Sequence, residues 1–209
     1  MAYYTRVLSK HEDFPSIDEL REVIRTDHPG CRLTLEEGSD EEWESLLLST
    51  DDGVEIAVLA RNPVYDGSVG QDEIADFMED TTDCKPESGV QWLREYLEEV
   101  TTVYTFQHVT GANSEEGSAA IHALRSALMD RGDAILQADM EGFTNEEGFH
   151  VVWQFADTVS GAWNMAVMQD DTWQHFKMDL GDPDHREAFF RGEVPSDVAS
   201  VQLARKKEE

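Results

Sequence analysis

The two halves of the 209-residue chain show the same succession of sequence patterns, about 100 residues apart. Each half begins with a predicted strand, continues with a helix preceded by serine, and then has several strands. Residues 3–9 form the first predicted strand, and Ser16 with Glu19 has the spacing of a helix capping box. The counterparts are strand 101–109 and the helix after Ser114. This order predicts an α+β fold, in which helices pack on one face of antiparallel sheet meanders. A duplicated strand–helix–three/four-strand unit is a further hypothesis.

The second half of the chain carries the clearest strand patterns. Four segments joined by polar turns are predicted as strands: 134–141, 149–156, 162–169 and 172–178. In the second of these, apolar residues alternate with others from Phe149 to Phe155, which is the period of a strand with one buried face. The four segments therefore predict an antiparallel meander.

These patterns divide the chain into four predicted segments. Residues 1–66 form a first strand–helix–meander unit, 67–100 a helical connector, 101–195 a second unit, and 196–209 a weakly ordered tail. We expect the two units to join in one compact, sheet-like body. The alternative is two independent small domains joined by the connector.

The charge excludes several classes of partner. The chain has 45 Asp and Glu against 16 Lys and Arg, a net charge of −29. Direct binding of nucleic acid and of anionic membranes is disfavoured, because both depend on Lys and Arg. The apolar runs are too short to span a bilayer and the first residues lack a signal-peptide pattern. Cys31 and Cys84 lack metal or redox spacing, so we expect a cytoplasmic protein with reduced thiols.

The acidity itself has three explanations: a haloadapted or solubilising surface, attraction to a basic partner or mimicry of DNA, and binding of divalent cations. The charge is spread over the chain, with 26 acidic and 8 basic residues in 1–100 and 19 and 8 in 101–209. A surface-wide adaptation explains this spread better than one ligand site does.

Three tryptophans occur ten residues apart in successive predicted strands: Trp153, Trp163 and Trp173. Side chains on neighbouring strands contact one another, so two or three of these rings are expected to stack. Together with Phe143 in the preceding loop they are candidates for a ligand pocket or a partner-binding face. Packing in the core is the more common use of such residues and is the alternative.

Histidines and carboxylates of the same region are candidate metal ligands. His108, His150 and His175 fall on predicted strands, and Asp139 and Glu141 lie in the same meander. Imidazole and carboxylate groups bind divalent metals when three or more converge. The alternative is that these histidines are isolated and make ordinary hydrogen bonds.

No motif of the chain assigns a reaction, since it contains no nucleophile elbow, phosphate-binding loop or paired-histidine metal motif. We therefore expect a non-enzymatic domain that binds a protein or a small ligand, without an organic cofactor. One alternative is a metal-dependent, hydrolase-like enzyme that uses the histidines and carboxylates above. Another is a DNA mimic that inhibits a nucleic-acid-binding protein. Open sheet edges also make a homodimer plausible.

Overall fold

A computed structural model describes residues 3–202 and confirms the α+β class with antiparallel sheets. The described residues form two compact units, each built from two stretches of chain. Unit 1 comprises the residues up to Phe77 and Glu98–Asp139, and unit 2 comprises Met78–Leu97 and the residues from Met140 onward. Residues 203–209 of the predicted tail lie outside the described part of the chain.

The helices and strands follow in this order: β1 (Tyr3–Ser9), α1 (Ile17–Asp27), β2 (Cys31–Gly38), β3 (Trp43–Thr50), β4 (Glu55–Pro63), α2 (Val69–Asp80), α3 (Glu87–Leu97), β5 (Thr102–His108), α4 (Glu115–Met129), β6 (Ala134–Ala138), β7 (Gly142–Phe143), β8 (Ala162–Gln169), β9 (Thr172–Asp179) and α5 (Pro183–Phe190). A short 3-10 helix, Thr110–Asn113, precedes α4.

Six strands of unit 1 form an antiparallel sheet in the order β2-β3-β4-β5-β1-β6. Val7 at its centre lies opposite Tyr104 on one side and Leu136 on the other. Helices α1 and α4 contact each other and pack on the sheet face that carries Val7. Leu20 and Leu124 are among their apolar residues in this core. Unit 1 thus contains the predicted strand–helix pattern twice, as β1 with α1 and as β5 with α4.

Both serine caps are confirmed. The Ser16 hydroxyl accepts a hydrogen bond from the Glu19 amide at 3.3 Å, and the Glu19 carboxylate accepts one from the Ser16 amide at 2.7 Å, which completes the capping box. The Ser114 hydroxyl accepts from the Gly117 amide at 3.0 Å. These local bonds satisfy amides that the first turn of a helix leaves unpaired.

Unit 2 is organised around the β8–β9 hairpin, with α3 in contact with β8. Asp170 and Asp171 form its tight turn, both with positive φ, as a two-residue hairpin loop requires. Met165 lies opposite Phe176 on the core face, where Phe189 of α5 is also buried. No helix within residues 3–202 is long and apolar enough to cross a bilayer.

The predicted strand over 149–156 is wrong, because this segment forms no strand and makes only isolated bridges at His150. Its backbone bonds go to different partners: His150 makes a single parallel bridge to Met165, and the Trp153 amide donates to the Lys85 carbonyl at 2.8 Å. The alternating apolar residues are buried, but by contacts on several sides instead of by one sheet face.

Candidate functional site

Two of the candidate metal ligands, His108 and Asp139, lie in unit 1 and have other partners. The His108 Nε2 atom is 2.9 Å from the Thr5 hydroxyl oxygen. The Asp139 carboxylate accepts a hydrogen bond from Arg6 at 2.9 Å. Burial lowers the pKa of His108. Both groups therefore belong to the hydrogen bonding of the sheet.

His150 of unit 2 is buried, with 8% of its surface exposed, against the rings of Phe155 and Trp163. The ring donates a hydrogen bond to the backbone of Glu141, and its Nδ1 atom has no hydrogen-bond partner among the described residues. Burial lowers the pKa of His150 to about 4, against the opposing effect of the Glu141 bond. The imidazole is accordingly neutral at neutral pH.

His175, the third histidine, lies on the opposite face of β9 from the core residues. Its Nε2 atom is 3.0 Å from the Asn145 amide nitrogen and 3.8 Å from the Glu147 carboxylate. Burial lowers its pKa, and Glu147 raises it by a smaller amount. Within residues 3–202, no group of three His, Cys, Asp or Glu side chains is arranged to hold a metal ion.

The candidate aromatic residues pack in two separate places. Trp153 and Trp163 both contact the Phe155 ring, with centroids 5.3 and 4.9 Å away. Trp173 instead meets Trp92 of α3 at 5.0 Å, edge to face. Phe143 is fully buried. The structure thus joins two of the three tryptophans through a third ring, and clefts of about 410 and 630 Å³ elsewhere in the two units are lined by other residues.

A network of polar side chains covers the face of the unit 1 sheet opposite α1 and α4. Glu73 of α2 accepts hydrogen bonds from Arg6 at 3.0 Å and from Asn62 at 2.9 Å. Arg6 also donates to Gln137 at 2.7 Å and to Asp139 at 2.9 Å. Since each charge has an opposite partner, the network attaches α2 to the sheet and leaves no free reactive group in this set.

We expect Glu73→Ala to reduce the free energy of unfolding by about 2 kcal/mol, because Arg6 is mostly buried and loses its α2 partner. Asp76→Ala, an exposed position on the same helix, is the control and should change stability by less than about 0.5 kcal/mol. Urea unfolding followed by circular dichroism measures both. Equal losses in the two variants would show that the network does not hold the helix.

A cleft of about 410 Å³ lies in unit 1, and we call it the acidic cleft. It is lined by the following residues of the β3 start, the β4 end and the α2 start: Glu42, Glu44, Arg61, Asn62, Pro63, Tyr65, Ser68, Val69 and Gly70. Gly70 allows the close approach that shapes it, because a Cβ atom there would lie 2.7 Å from the carbonyl oxygens of Asn62 and Pro63. The Ser68 hydroxyl accepts from the Gln71 amide, and α2 starts at Val69.

Carboxylates dominate the charge of the acidic cleft. Glu42 and Glu44 are both exposed. The guanidinium of Arg61, the cation in the lining, lies 3.8 Å over the Phe14 ring and donates from Nε to the Trp43 carbonyl at 2.8 Å. Its orientation is therefore fixed by contacts within unit 1.

Two apolar side chains stand in solvent at the same cleft. Tyr65 is 65% exposed and Val69 is 66% exposed. The sequence marks neither as a candidate, since Tyr65 lies in the short loop after Pro63 and Val69 at the start of α2. One sequence feature does indicate their exposure: an aromatic and a β-branched residue lie among turn-forming residues, where an apolar side chain has no core to enter.

A second cleft, of about 630 Å³, lies in unit 2, and we call it the unit 2 cleft. Its lining combines the start of α3, the end of β8 and the residues after α5: Lys85, Pro86, Glu87, Ser88, Gln91, Met168, Phe190, Arg191 and Gly192. Both volumes are in the range of clefts that hold small ligands or single side chains.

Neither cysteine is activated for nucleophilic chemistry. Burial and nearby carboxylates raise the pKa of both thiols, with Glu116 and Asp51 acting on Cys31 and Asp80 and Asp83 on Cys84. A thiolate is the reactive form, so these two groups are poor nucleophiles at neutral pH.

Comparison with known proteins returned no matching family model, no matching curated protein and no matching solved structure.

Proposed function

We propose that the protein is a binding domain whose acidic cleft takes a positively charged segment of a partner protein. The observation that carries this proposal is the placement of two exposed apolar side chains, Tyr65 and Val69, beside the exposed carboxylates of one cleft. Exposed apolar side chains that are grouped at one cleft are typical of binding surfaces, and tyrosine is enriched in interfaces.

The charge defines the class of partner. Glu42 and Glu44 attract Lys or Arg side chains and repel acidic ones, which gives the cleft a preference by charge. At long range the net charge of −29 acts in the same direction and raises the rate of encounter with basic proteins. The acidic surface and the cleft therefore favour the same kind of partner.

A lysine or arginine side chain has the chemistry that the cleft complements. Its alkyl stem would lie against Tyr65 and Val69, and its cationic head would reach Glu42 or Glu44. A cation over the exposed Tyr65 ring gains further, by about 0.5–1 kcal/mol at such sites. A basic segment that also carries an apolar residue would thus use both features of the cleft.

Selection of binding peptides from a random library on the full chain tests the proposal. We expect the enriched peptides to contain Lys or Arg next to an apolar residue. Their dissociation constants should rise by about tenfold in Val69→Ser and in Glu44→Gln, because each variant removes one kind of contact. Fluorescence anisotropy of a labelled selected peptide measures the change.

Matched controls lie elsewhere in unit 1. Val54→Ser removes a second exposed valine, in the β3–β4 turn, and Glu12→Gln removes an exposed carboxylate outside the cleft lining. Both should leave peptide affinity unchanged. Enrichment of acidic peptides, failure to enrich any peptide, or equal effects of cleft and control variants would each reject the proposal.

A further inference from the structure

The two walls of the unit 2 cleft are held by hydrogen bonds to their backbone groups. On one wall the Lys85 carbonyl accepts from the Trp153 amide at 2.8 Å. On the other, the Gly192 carbonyl accepts from the Gln169 side chain at 3.1 Å, and the Gly192 amide donates to the Phe189 carbonyl at 2.9 Å. A cleft with fixed walls needs little ordering when a ligand enters, which favours affinity.

The cations of this cleft differ from the other arginines of unit 2. Arg94 and Arg186 donate to backbone carbonyls and so fix the chain. Lys85 and Arg191 instead pair with glutamate side chains: Lys85 with Glu87 at 2.9 Å, and Arg191 with Glu193 at 3.0 Å and Glu187 at 3.9 Å. In a unit rich in carboxylates, these two cations line the same cleft.

Their glutamate partners are exchangeable. Glu87 is 88% exposed, Glu187 is 70% exposed and Glu193 is 56% exposed. Exposed ion pairs contribute only about 0–1 kcal/mol, so another anion can replace each of these carboxylates at small cost. The ion pairs with glutamate also show that Lys85 and Arg191 can each bind a carboxylate in the positions that they occupy here.

The remaining lining supplies an apolar surface and a neutral hydrogen-bonding group. Phe190 and Met168 are half-buried at the cleft, and the Phe190 ring is held edge to face against Trp153 at 5.2 Å. The Ser88 hydroxyl belongs to the opposite wall. Once the exposed Glu87 side chain of the lining gives up Lys85, two cations, a hydroxyl and a partly exposed ring around 630 Å³ form a lining suited to a molecule with a charged end and a flat apolar body.

We propose that the unit 2 cleft binds a small organic anion, a carboxylate or a phosphate on a flat apolar body. The anionic group replaces the glutamates on Lys85 and Arg191, and the body lies against Phe190 and Met168. This site is independent of the proposed peptide-binding function, because it uses other residues in the other unit.

Titration of the full chain with phenyl phosphate, followed by calorimetry and by amide NMR shifts, tests this inference. We expect saturable binding with the largest shifts at residues 85–91 and 190–192. Inorganic phosphate, which lacks the apolar body, and benzyl alcohol, which lacks the charge, should bind at least about tenfold more weakly. Benzoate in a parallel titration identifies which anionic group the cleft prefers.

Charge-neutral variants locate the site. Lys85→Gln and Arg191→Gln should each weaken phenyl phosphate binding by about tenfold, because a charged hydrogen bond is lost. Lys177→Gln, which removes an exposed cation of β9 outside the cleft lining, should leave binding unchanged. Binding as tight for phosphate alone, absence of saturation, or an equal loss in Lys177→Gln would overturn the inference. Circular dichroism of each variant verifies that it is folded.

Discussion

Gly89→Ala is expected to reduce the free energy of unfolding by about 3 kcal/mol or more, although alanine is the better helix former. Gly89 lies in α3, and a Cβ atom there would be 2.1 Å from the carbonyl oxygen of Val151. Val151 is fully buried and its amide donates to the Phe143 carbonyl at 3.0 Å. Neither backbone can shift without breaking buried contacts, so the added methyl group separates α3 from the segment that it packs on.

Urea unfolding followed by circular dichroism and tryptophan fluorescence measures this effect. Gln91→Ala, an exposed position of the same helix, is the matched control and should change stability by less than about 0.5 kcal/mol. Helix propensity alone predicts that Gly89→Ala stabilises the protein by up to about 1 kcal/mol. A stabilised variant would therefore contradict the close approach of α3 to Val151.

Acid is expected to destabilise the protein through His150 by about 3 kcal/mol between neutral pH and pH 4. The pKa of this histidine is about 4 in the folded chain, against 6.5 for an ordinary histidine. Below pH 6.5 the unfolded chain takes up a proton that the folded chain does not. Stability due to the neutral imidazole is thus present above pH 6.5 and is lost as pH falls towards 4.

The comparison of His150→Phe with the wild-type chain isolates this contribution from the titration of the many carboxylates. Phenylalanine keeps a ring against Phe155 and Trp163 but takes up no proton. Between pH 7 and pH 4, we expect the free energy of unfolding to fall by about 3 kcal/mol less in the variant than in the wild-type chain. His122→Phe, at an exposed position of α4, should keep the wild-type pH dependence. Identical pH dependence in all three proteins would contradict the burial of a neutral imidazole.

The elements that the sequence predicts well are those fixed by neighbouring residues. Ser16 and Ser114 start helices because their hydroxyls bond to amides three residues later. The β8–β9 hairpin follows from two alternating strands around Asp170 and Asp171. These interactions are local, so a short stretch of sequence contains all the information that they need.

The predicted strand over 149–156 failed because a period of two reports which side chains are buried and not where the backbone finds its partners. Val152, between the alternating residues, is also fully buried. The close contact of Gly89 with Val151 joins two segments that lie far apart along the chain. Contacts of this kind depend on the assembled fold and leave no local pattern.

Which residues form the candidate site also depends on the assembled fold. Tyr65 and Val69 were missed because their exposure depends on how the β4 end, the α2 start and the β3 start meet at Gly70. The histidines and tryptophans were singled out for their chemistry, but convergence of side chains depends on strand order. Among the described residues, strand pairing brings Trp163 to Met178 and Trp173 to Met168, which sequence spacing does not reveal.

The position of β1 in the sheet sets an order of events during synthesis. This strand is made before both of its neighbours, because β5 and β6 follow it by about 100 or more residues. Until β5 has emerged, both edges of β1 are unpaired, and one edge stays unpaired until Ala138 has emerged, a state prone to wrong pairing. The sheet of unit 1 therefore cannot be completed strand by strand in chain order, and its closure waits for translation as far as Ala138.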